Sequence, residues 1–330
     1  MIIYCDGIFD MFHYGHIEHL RKAKKLYDDV YLIVGIVSDK DATGYKRKPI
    51  MNEEIRYELV KSIIYVDKVI KNAPMVTTKE FMDSNNIDLI VHSFSNENDS
   101  TNQDEYFKYP RQVNKMLELP YTKGISTTNI INNNYDNISN WKSIWNKKAS
   151  EDVSLRVLGG YENTDMIPED TYNNIITNLD LEKNDKILEV GCGCGYIAQF
   201  LKDYDYTGID YSQSSIFKHF SLLNNKVITC EAYPLPFPDN YFDGVFANGV
   251  FEYFPSLEYT RKVIEEMNRV SKNKVYILNM RENSKKDKTK YIYEGDYDHN
   301  ILSKDFFLNN NWFIKEATWD KKNRFSALNK

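Results

Sequence analysis

Cysteine is scarce in this sequence: there are four cysteines in 330 residues, and no two of them form a C-x-x-C pair. A disulfide framework therefore does not hold the chain together, and a reducing, cytoplasmic environment is expected. Cys192 and Cys194 lie close together. A zinc site needs further ligands at suitable spacing, so we interpret both as small residues of a tight loop and expect no bound metal there.

The sequence also lacks any apolar run of membrane-spanning length, and its first residues do not have the pattern of a secretory signal. It has no excess of positive charge, because 42 lysines and arginines face 48 acidic residues, giving a formal net charge of -6. We therefore expect neither a membrane partner nor a nucleic-acid partner. With 330 residues, of which 42% are hydrophobic, the chain is long enough for two domains with ordinary cores.

A stretch with two histidines, residues 6–16, carries the first chemical signal. The apolar residues 2–5 before it predict a short buried strand, and apolar residues at helical spacing follow it. His13 and His16 therefore lie where a strand leads into a helix N-terminus, a place where backbone N–H groups and the helix dipole hold phosphates. Two imidazoles there can face one bound triphosphate, and Gly15 lets the backbone approach it.

Strand-like and helix-like segments alternate through the first part of the chain, with Asn52 as a plausible helix N-cap. This alternation predicts an α/β domain with a parallel, doubly wound sheet. Ligands of such sheets bind beyond the carboxyl ends of the strands, where His13, His16 and His92 are expected. The predicted strands cover residues 2–5, 30–37, 66–70 and 87–92, and the predicted helices begin near residues 17, 53 and 81.

The histidine stretch resembles the HxGH nucleotidyltransferase family and is most similar to its cytidylyltransferase branch, which joins CTP to a phosphorylated headgroup and releases pyrophosphate. The resemblance covers residues 1 to about 133 in four segments, which also include Lys46, Arg56 and residues 124–128. It implies that His13 and His16 donate hydrogen bonds to phosphate oxygens, while Lys46 and Arg56 neutralise charge as further catalytic residues. A surface pair with Glu53 is the alternative for Arg56.

The resemblance also implies which residues contact each substrate, with Mg²⁺ accompanying CTP. Nucleotide contacts are expected from Gly7, Ile8, Phe9, His13, His16, His92, Lys123, Gly124, Ile125, Ser126 and Thr127. Headgroup contacts are expected from Asp6, Lys46, Met75 and Tyr106.

Two places depart from the family pattern. Tyr121 and Lys123 replace the family's arginine and glutamate, so one positive charge is lost and another is gained two residues on, where Lys123 is expected to compensate. Met75 stands where choline-type members have tryptophan, and quaternary ammonium groups favour aromatic faces. An ethanolamine-phosphate-like headgroup is therefore favoured, while an aminoalkyl phosphonate, choline phosphate and glycerol phosphate stay open.

A polar, turn-prone run at residues 131–137 marks a domain boundary. We predict a first domain at residues 1–133, a linker at 134–140 and a second domain at 141–330. The second domain contains a glycine-rich loop after an apolar strand, then a predicted helix at residues 196–201, and an acid, Asp210, at the end of the next strand. That acid can accept hydrogen bonds from ribose hydroxyls, so a dinucleotide dehydrogenase and a methyltransferase both fit the loop.

Residues 230–243 closely resemble a segment of the class I S-adenosylmethionine-dependent methyltransferases, D-A-x-x-L-P-F-x-D-x-x-F-D, and favour the second possibility. The resemblance implies a class I methyltransferase fold with S-adenosylmethionine as cofactor, without distinguishing N- from O-methylation. Tyr161 and Tyr253 are candidates for the base. Cofactor contacts are expected from Glu189, Gly191, Cys192, Gly193, Gly195, Asp210, Glu231, Ala232 and Asn248.

Together these patterns predict two doubly wound, Rossmann-like α/β domains in a bifunctional enzyme. The first domain would make a CDP-activated headgroup, and the second would methylate that headgroup or a molecule of the same pathway. A homodimer is expected from the cytidylyltransferase resemblance. The alternatives are a glycerol-phosphate or choline-phosphate cytidylyltransferase joined to an unrelated sugar methyltransferase, and a non-catalytic sensor of CTP or S-adenosylmethionine.

Overall fold

The computed structural model describes residues 1–45, 47–122, 127, 141–282 and 302–329. The chain divides into two compact units, Met1–Asn132 and Asn133–Lys330, and each is built on its own β-sheet. The predicted linker at residues 134–140 lies outside the described residues.

Five strands form the sheet of the first unit: β1 (Ile2–Gly7), β2 (Tyr31–Ile36), β3 (Lys68–Lys71), β4 (Leu89–His92) and β5 (Met116–Glu118). Their order across the sheet is β3-β2-β1-β4-β5, and every neighbouring pair is parallel. The predicted parallel, doubly wound α/β sheet is therefore confirmed. The chain changes direction across the sheet between β1 and β4, which opens a crevice at the carboxyl ends of these two strands.

Six helices of the first unit are described: α1 (Tyr14–Lys24), α2 (Asp39–Tyr45), α3 (Glu53–Lys61), α4 (Lys79–Ser84), α5 (Glu97–Asn102) and α6 (Lys108–Gln112). Helix α1 buries Ile17, Leu20 and Ala23, whose three-residue spacing puts them on one face toward the sheet. Asn52 caps α3 as predicted, because its side chain accepts a hydrogen bond from the N–H of Ile55 at 3.0 Å.

Seven strands form the sheet of the second unit: β6 (Lys186–Val190), β7 (Asp205–Asp210), β8 (Lys226–Thr229), β9 (Phe242–Asn248), β10 (Ser271–Arg281), β11 (Phe313–Glu316) and β12 (Arg324–Leu328). Their order is β11-β12-β10-β9-β6-β7-β8. The five strands from β6 to β10 pair in parallel, while β11 and β12 add an antiparallel edge. The direction changes between β6 and β9, so the crevice of this sheet opens there.

The described helices of the second unit are α7 (Trp141–Ala149), α8 (Leu155–Leu158), α9 (Pro168–Leu179), α10 (Gln213–Leu223), α11 (Leu257–Val270) and α12 (Lys304–Leu308), with short 3-10 helices at Ala198–Phe200 and Phe251–Tyr253. The helix predicted at residues 196–201 is wrong in type and length. The N–H of Phe200 bonds to the carbonyl of Ile197, and that of Leu201 to the carbonyl of Ala198, so the segment forms one tight turn instead of an α-helix.

Candidate active sites

The first candidate site is a cleft of about 460 Å³ at the carboxyl edge of the first sheet. β1 and β4 end at it, and the N-terminus of α1 forms one wall. The structure describes most of the residues that were predicted for this site. All of these except Arg56 line the cleft. These lining residues are Asp6, Gly7, Ile8, Phe9, His13, His16, Met75, His92, Tyr106 and Thr127.

His13 and His16 are held by the helix start itself. His13 is the N-cap of α1, and its Nδ1 accepts a hydrogen bond from the N–H of Gly15 at 3.1 Å. The Nδ1 of His16 accepts one from the N–H of His13 at 3.4 Å. Since both Nδ1 atoms are acceptors, the proton of each neutral ring is on Nε2. Each imidazole thus keeps an Nε2–H donor for a ligand.

Both imidazoles are neutral near pH 7. Burial lowers the pKa of His13 to about 3. Burial also lowers the pKa of His16 well below its ordinary value, and the neighbouring His13 and His19 add to this effect. A bound triphosphate would raise both pKa values, because negative charge favours the imidazolium form. In the free cleft the pair therefore acts as hydrogen-bond donors and not as cations.

Arg56 is a correction to the sequence-based expectation, because it does not line the cleft. Its side chain is fully buried, at 0% exposure. The guanidinium donates to the carbonyl oxygens of Ile8 and Val37 and to the carboxylate of Asp39, the last at 2.6 Å. Neither direct charge neutralisation nor a surface pair with Glu53 fits this burial. Arg56 instead joins the loops that follow β1 and β2.

A buried carboxylate, Asp10, organises the opposite wall of the cleft. It accepts hydrogen bonds from the N–H groups of Ile50 and Met51 at 3.0 and 2.9 Å, and it forms an ion pair with Arg47 at 2.8 Å. The Asp10 carbonyl accepts a hydrogen bond from the Thr127 hydroxyl at 2.8 Å, which fixes this predicted nucleotide contact beside the histidine stretch. Among the described lining residues, Arg47 is the one lysine or arginine.

Three of the predicted headgroup residues, Asp6, Met75 and Tyr106, line the cleft. Asp6 Oδ1 lies 3.2 Å from Nδ1 of His92, and both side chains are largely buried. Tyr106 packs edge-to-face against Tyr45, with ring centroids 5.7 Å apart, and Met75 lines the same cleft. Burial raises the pKa of Tyr45 to about 12, so its phenol stays protonated near pH 7.

Several lining residues were missed by sequence reasoning. His19 lies one turn beyond His16 on α1, and its Nδ1 is 2.9 Å from the Ser93 hydroxyl. The three-residue spacing of His13, His16 and His19 was the available signal. Asp99 of α5 also lines the cleft and accepts hydrogen bonds from neighbouring residues of its own segment. Nothing in the sequence pattern indicated that this acid would face the cleft.

Five predicted residues have no described placement, and their phosphate and headgroup contacts stay predictions. Lys46, Lys123, Gly124, Ile125 and Ser126 lie outside the described residues. Tyr121, which stands in place of the family's arginine, lines the cleft and is 39% exposed. The compensation expected from Lys123 is therefore a question for experiment.

The second candidate site is a cavity of about 690 Å³ at the carboxyl ends of β6, β7 and β9. Gly195 is a correction, because it does not line this cavity. Its φ of +90° favours glycine, and a Cβ there would approach Leu223 and His219, so it serves close packing behind the loop. The other predicted cofactor residues line the cavity: Glu189, Gly191, Cys192, Gly193, Asp210, Glu231, Ala232 and Asn248.

The glycine-rich loop is held from two sides through Gly193. Its N–H donates to Asp210 Oδ2 at 3.0 Å, and its carbonyl oxygen lies 3.2 Å from Nδ1 of His219. The other Asp210 oxygen accepts a hydrogen bond from the N–H of Ser212 at 2.8 Å. At Gly191, where φ is +78°, a Cβ would overlap Val250. The loop thus presents bare backbone to the cavity.

Two buried acids that line this cavity have raised pKa values. Glu189 is 3% exposed and accepts a hydrogen bond from the Tyr206 hydroxyl at 2.7 Å. Burial raises the pKa of Glu189 to about 8, against the opposing effect of the Tyr206 bond. Burial likewise raises the pKa of Asp210 to about 6. By contrast, Glu231 is exposed and lies 3.5 Å from the ammonium group of Lys142.

Aromatic side chains cover much of the remaining wall. The Tyr161 hydroxyl accepts a hydrogen bond from Nδ2 of Asn248 at 3.1 Å. Burial raises the pKa of Tyr161 well above its ordinary value, so the phenol stays protonated and does not suit the role of a base. Tyr253 meets the rings of Trp141 and Trp145 edge-on, at centroid distances of 4.9 and 5.4 Å. Both tyrosines line this cavity, and the role of Tyr253 as a base stays a prediction.

All four cysteines are free and buried. Within the described ranges, no group of three or more histidine, cysteine, aspartate or glutamate side chains is placed to hold a metal ion. No helix among those residues combines the length and the apolar character needed to cross a membrane.

Comparison with known families and proteins gives a separate match for each unit. Residues 4–133 match the cytidylyltransferase-like family, and residues 188–278 match a methyltransferase domain family. Choline-phosphate cytidylyltransferase A of Homo sapiens is 40% identical over 132 residues, which are 39% of this chain and 35% of that protein. Choline-phosphate cytidylyltransferase 2 of Arabidopsis thaliana is 38% identical over 130 residues, 39% of this chain and 43% of that protein.

The ethanolamine-phosphate cytidylyltransferase of Mus musculus is 39% identical over 133 residues, 39% of this chain and 31% of that protein. The chain spans less than half the length of each of these three relatives. Among solved structures, a SAM-dependent methyltransferase from Aquifex aeolicus is 20% identical with a TM-score of 0.40, and the alignment covers 56% of this chain and 96% of that one.

Proposed function

Since the chain joins a cytidylyltransferase-like domain to a methyltransferase domain, we propose that it is a bifunctional enzyme with one active site in each unit. The first unit transfers CMP from CTP to a small phosphorylated headgroup and releases pyrophosphate. The second unit methylates a small molecule of the same pathway with S-adenosylmethionine. The observation that carries the first proposal is the stacked pair His13 and His16 at a helix N-terminus, facing a cleft at the switch point of a parallel sheet.

In the first reaction, a phosphate oxygen of the acceptor attacks the α-phosphorus of CTP, and pyrophosphate leaves with the electron pair of the broken P–O bond. Charge develops on phosphate oxygens, so catalysis depends on positioned donors. The Nε2–H groups of His13 and His16 donate to these oxygens, supported by the positive end of the α1 dipole. Arg56 positions the loop after β1 from behind the cleft. Thr127, Lys46 and residues 123–126 complete the triphosphate site.

We propose ethanolamine phosphate as the preferred headgroup substrate. A primary ammonium needs hydrogen-bond acceptors, and the carboxylates of Asp6 and Asp99 line the cleft. A quaternary ammonium has no N–H group and is attracted mainly to aromatic faces. Met75 supplies no such face, although Tyr45 and Tyr106 do.

Mg²⁺ is proposed to enter with CTP, held by the triphosphate oxygens. The described residues fit this better than a protein-held ion, because no three ligating side chains converge among them. A cytoplasmic location is proposed because all four cysteines are free thiols. We also propose a homodimer, an expectation that comes from the cytidylyltransferase resemblance.

In the second unit, the residues around the cavity suit each part of S-adenosylmethionine, which supplies an electrophilic methyl group when bound. Glu189 would accept hydrogen bonds from the α-ammonium group, and Asp210 from the ribose hydroxyls. The bare backbone at Gly191 and Gly193 lets the ligand approach the loop closely. Ala232 and Glu231, which also line the cavity, would contact the adenine ring. The aromatic side chains of the wall would keep water away from the methyl group.

Pyrophosphate release from CTP and Mg²⁺ tests the first activity on the full chain. The acceptors are ethanolamine phosphate, choline phosphate, glycerol phosphate and 2-aminoethylphosphonate, each with and without Mg²⁺. The proposal expects the highest kcat/KM with ethanolamine phosphate. CTP binding without pyrophosphate release from any acceptor would favour a sensor. A calorimetric titration with S-adenosylmethionine tests the second unit independently.

A further inference from the structure

A chain of hydrogen-bonded amide groups connects the antiparallel edge of the second sheet to the methyltransferase cavity. It runs from Thr318, in the connection between β11 and β12, through Asn279 in β10 and Asn248 at the end of β9 to Tyr161. Asn279 is fully buried and has a φ of +59°, where the register of β10 against β12 shifts. Asparagine tolerates this left-handed backbone better than most residues. We call Thr318, Asn279 and Asn248 the amide relay.

The amide relay has a fixed direction, because it begins at a backbone donor that cannot be reversed. The N–H of Thr318 donates to Asn279 Oδ1 at 2.8 Å, which fixes the orientation of the Asn279 amide. Asn279 Nδ2 then donates to Asn248 Oδ1 at 2.7 Å. Asn248 Nδ2 therefore faces the Tyr161 hydroxyl and donates to it at 3.1 Å. The oxygen of Tyr161 is thus a hydrogen-bond acceptor within the protein.

The proton of the Tyr161 hydroxyl remains for a ligand. Burial raises the pKa of Tyr161 well above its ordinary value, so the phenol keeps this proton near pH 7. In the part of the chain that the structure describes, no hydrogen bond uses the proton, and the residue lines the cavity. A partly buried donor gains most from an acceptor that a ligand brings. The relay therefore makes Tyr161 a neutral hydrogen-bond donor to the cavity.

Tyr161 lies at the end of the cavity where the amino-acid part of S-adenosylmethionine is proposed. Its ring stacks on that of Tyr196, which directly follows the glycine-rich loop, with centroids 5.0 Å apart. A Cβ at Gly249 would lie 3.7 Å from the Tyr161 hydroxyl, which places this hydroxyl near the carboxyl end of β9. Glu189, the proposed partner of the α-ammonium group, is close enough for its charge to add to the effect of burial on the pKa of Tyr161. The ligand's carboxylate is attached to the same carbon as that ammonium group.

We propose that Tyr161 donates a hydrogen bond to the carboxylate of S-adenosylmethionine, and that Asn279 and Asn248 are positioning residues that keep it in this role. The inference rests on the proposed methyltransferase function. A hydroxyl that donates to a carboxylate forms a charge-assisted hydrogen bond, which is about twice as strong as a neutral one. Glu189 and Tyr161 would then hold the two charged groups of the amino-acid part, one as acceptor and the other as donor.

Decarboxylated S-adenosylmethionine separates this contact from the rest of the site, because it lacks the carboxylate and keeps the ammonium, sulfonium, ribose and adenine groups. Calorimetric titration of the full chain gives the Kd of both ligands. Tyr161→Phe should raise the Kd of S-adenosylmethionine by about 10- to 100-fold and leave that of the decarboxylated ligand within about twofold. Tyr172→Phe is the matched control, because Tyr172 on α9 packs against Phe200 outside the cavity.

Asn279→Gly tests the amide relay. Glycine suits the left-handed backbone, and loss of the amide lets Asn248 turn its oxygen toward Tyr161 and accept the phenol proton. We expect the Kd of S-adenosylmethionine to rise by about threefold or more, without a matching change for the decarboxylated ligand. Thr318→Val keeps the backbone N–H that directs the relay, so both Kd values should stay within about twofold of the wild type. A purely structural role of Asn279 would change both Kd values equally.

The outcomes separate this inference from the proposed function. Equal changes in both Kd values in Tyr161→Phe, or equal affinity of the wild type for the two ligands, would overturn the inference. An unchanged Kd of S-adenosylmethionine in Tyr161→Phe, with a higher KM for the methyl acceptor, would assign the proton to the acceptor and also overturn it. A wild-type chain that binds neither ligand would instead overturn the methyltransferase function itself.

Discussion

The imidazole rings of His13 and His16 lie nearly parallel, with their centroids 3.8 Å apart and their planes inclined by 17°. Both rings also serve the helix that they begin, because each Nδ1 accepts a backbone hydrogen bond in a capping box. The local fold thus determines which nitrogen carries the proton. One short segment therefore builds the start of α1 and presents two Nε2–H donors for a triphosphate.

The variant His13→Asn should separate these two roles. Asparagine is a good N-cap residue and keeps an acceptor for the N–H of Gly15, but it has no group equivalent to Nε2–H. We expect pyrophosphate release to fall by about 10²–10³-fold, the loss typical of one donor to a developing oxyanion. The melting temperature should stay near that of the wild type.

His13→Ala is the matched comparison, because it removes the cap together with the donor and should also cost about 1 kcal/mol of stability. A His13→Asn enzyme with nearly full activity would show that this histidine contributes only to folding. Pyrophosphate-release assays measure the activity of the wild type and of the two variants, and thermal melts measure their stability.

Substitution by glutamine should affect CTP binding directly at Arg47 and mainly stability at Arg56. Arg56→Gln leaves the Ile8 and Val37 carbonyls and the Asp39 carboxylate without their buried partner. We expect a loss of about 1–3 kcal/mol in the free energy of unfolding for each buried carbonyl left unpaired. Denaturant titration measures this loss.

Arg47 is 38% exposed and lines the cleft, whereas its partner Asp10 is 4% exposed. Arg47→Gln should therefore raise the KM of CTP and also lower stability, because it leaves a buried carboxylate with only its hydrogen bonds from the N–H groups of Ile50 and Met51. A stable Arg56→Gln protein with weakened CTP binding alone would contradict the positioning role that we assign to Arg56. It would return this residue to the triphosphate site expected from the sequence.

The affinity for S-adenosylmethionine should increase with pH, because Glu189 must be ionised to accept hydrogen bonds from the ligand's ammonium group. Its pKa of about 8 in the free protein means that binding releases a proton at lower pH. Between about pH 6.5 and 7.5, Kd should fall by up to about tenfold. Asp210, with a pKa of about 6, should add to the dependence only at more acidic pH.

Calorimetry in buffers of different ionisation enthalpy measures both the Kd and the number of protons released. Glu189→Gln should bind more weakly and show a flat profile in this range. A wild-type profile that is already flat would contradict the proposed contact between Glu189 and the ammonium group.

His219 should affect the binding of S-adenosylmethionine indirectly, because it holds the glycine-rich loop in place. Its ring lies between the Gly193 carbonyl, at 3.2 Å, and the Asn225 side chain, at 3.1 Å. His219→Phe keeps a ring of similar size but removes hydrogen bonds to two partly buried groups, at about 0.5–1.5 kcal/mol each. We expect a higher Kd for S-adenosylmethionine together with lower stability.

His219→Gln can replace one of these hydrogen bonds and should recover part of both losses. Unchanged cofactor affinity in a destabilised His219→Phe protein would show that the histidine serves packing alone. Calorimetry on the folded variants separates the two outcomes.

The parts of the fold that local pattern determines could be predicted from the sequence. Asn52 with two acids after it forms the expected helix start. The helix at residues 196–201 was wrong, since an apolar pattern alone does not distinguish an α-helix from a single tight turn. The next residues must enter β7, which leaves no length for a helix.

Site residues could be predicted where a single short segment contains the motif and also places the residues of that motif at the site. The residues from Asp6 to His16 and the loop from Glu189 to Gly193 are such segments. Arg56 was misplaced because a sequence does not show whether an arginine on an amphipathic helix faces a cleft or the interior.

The most direct test of the central claim is mass spectrometry of the products that the full chain forms from CTP, Mg²⁺ and ethanolamine phosphate. The account predicts CDP-ethanolamine and an equal amount of pyrophosphate, both formed about 10²–10³-fold more slowly by the His13→Asn variant. Intact CTP after prolonged incubation with this acceptor and with choline phosphate, glycerol phosphate and 2-aminoethylphosphonate would contradict it.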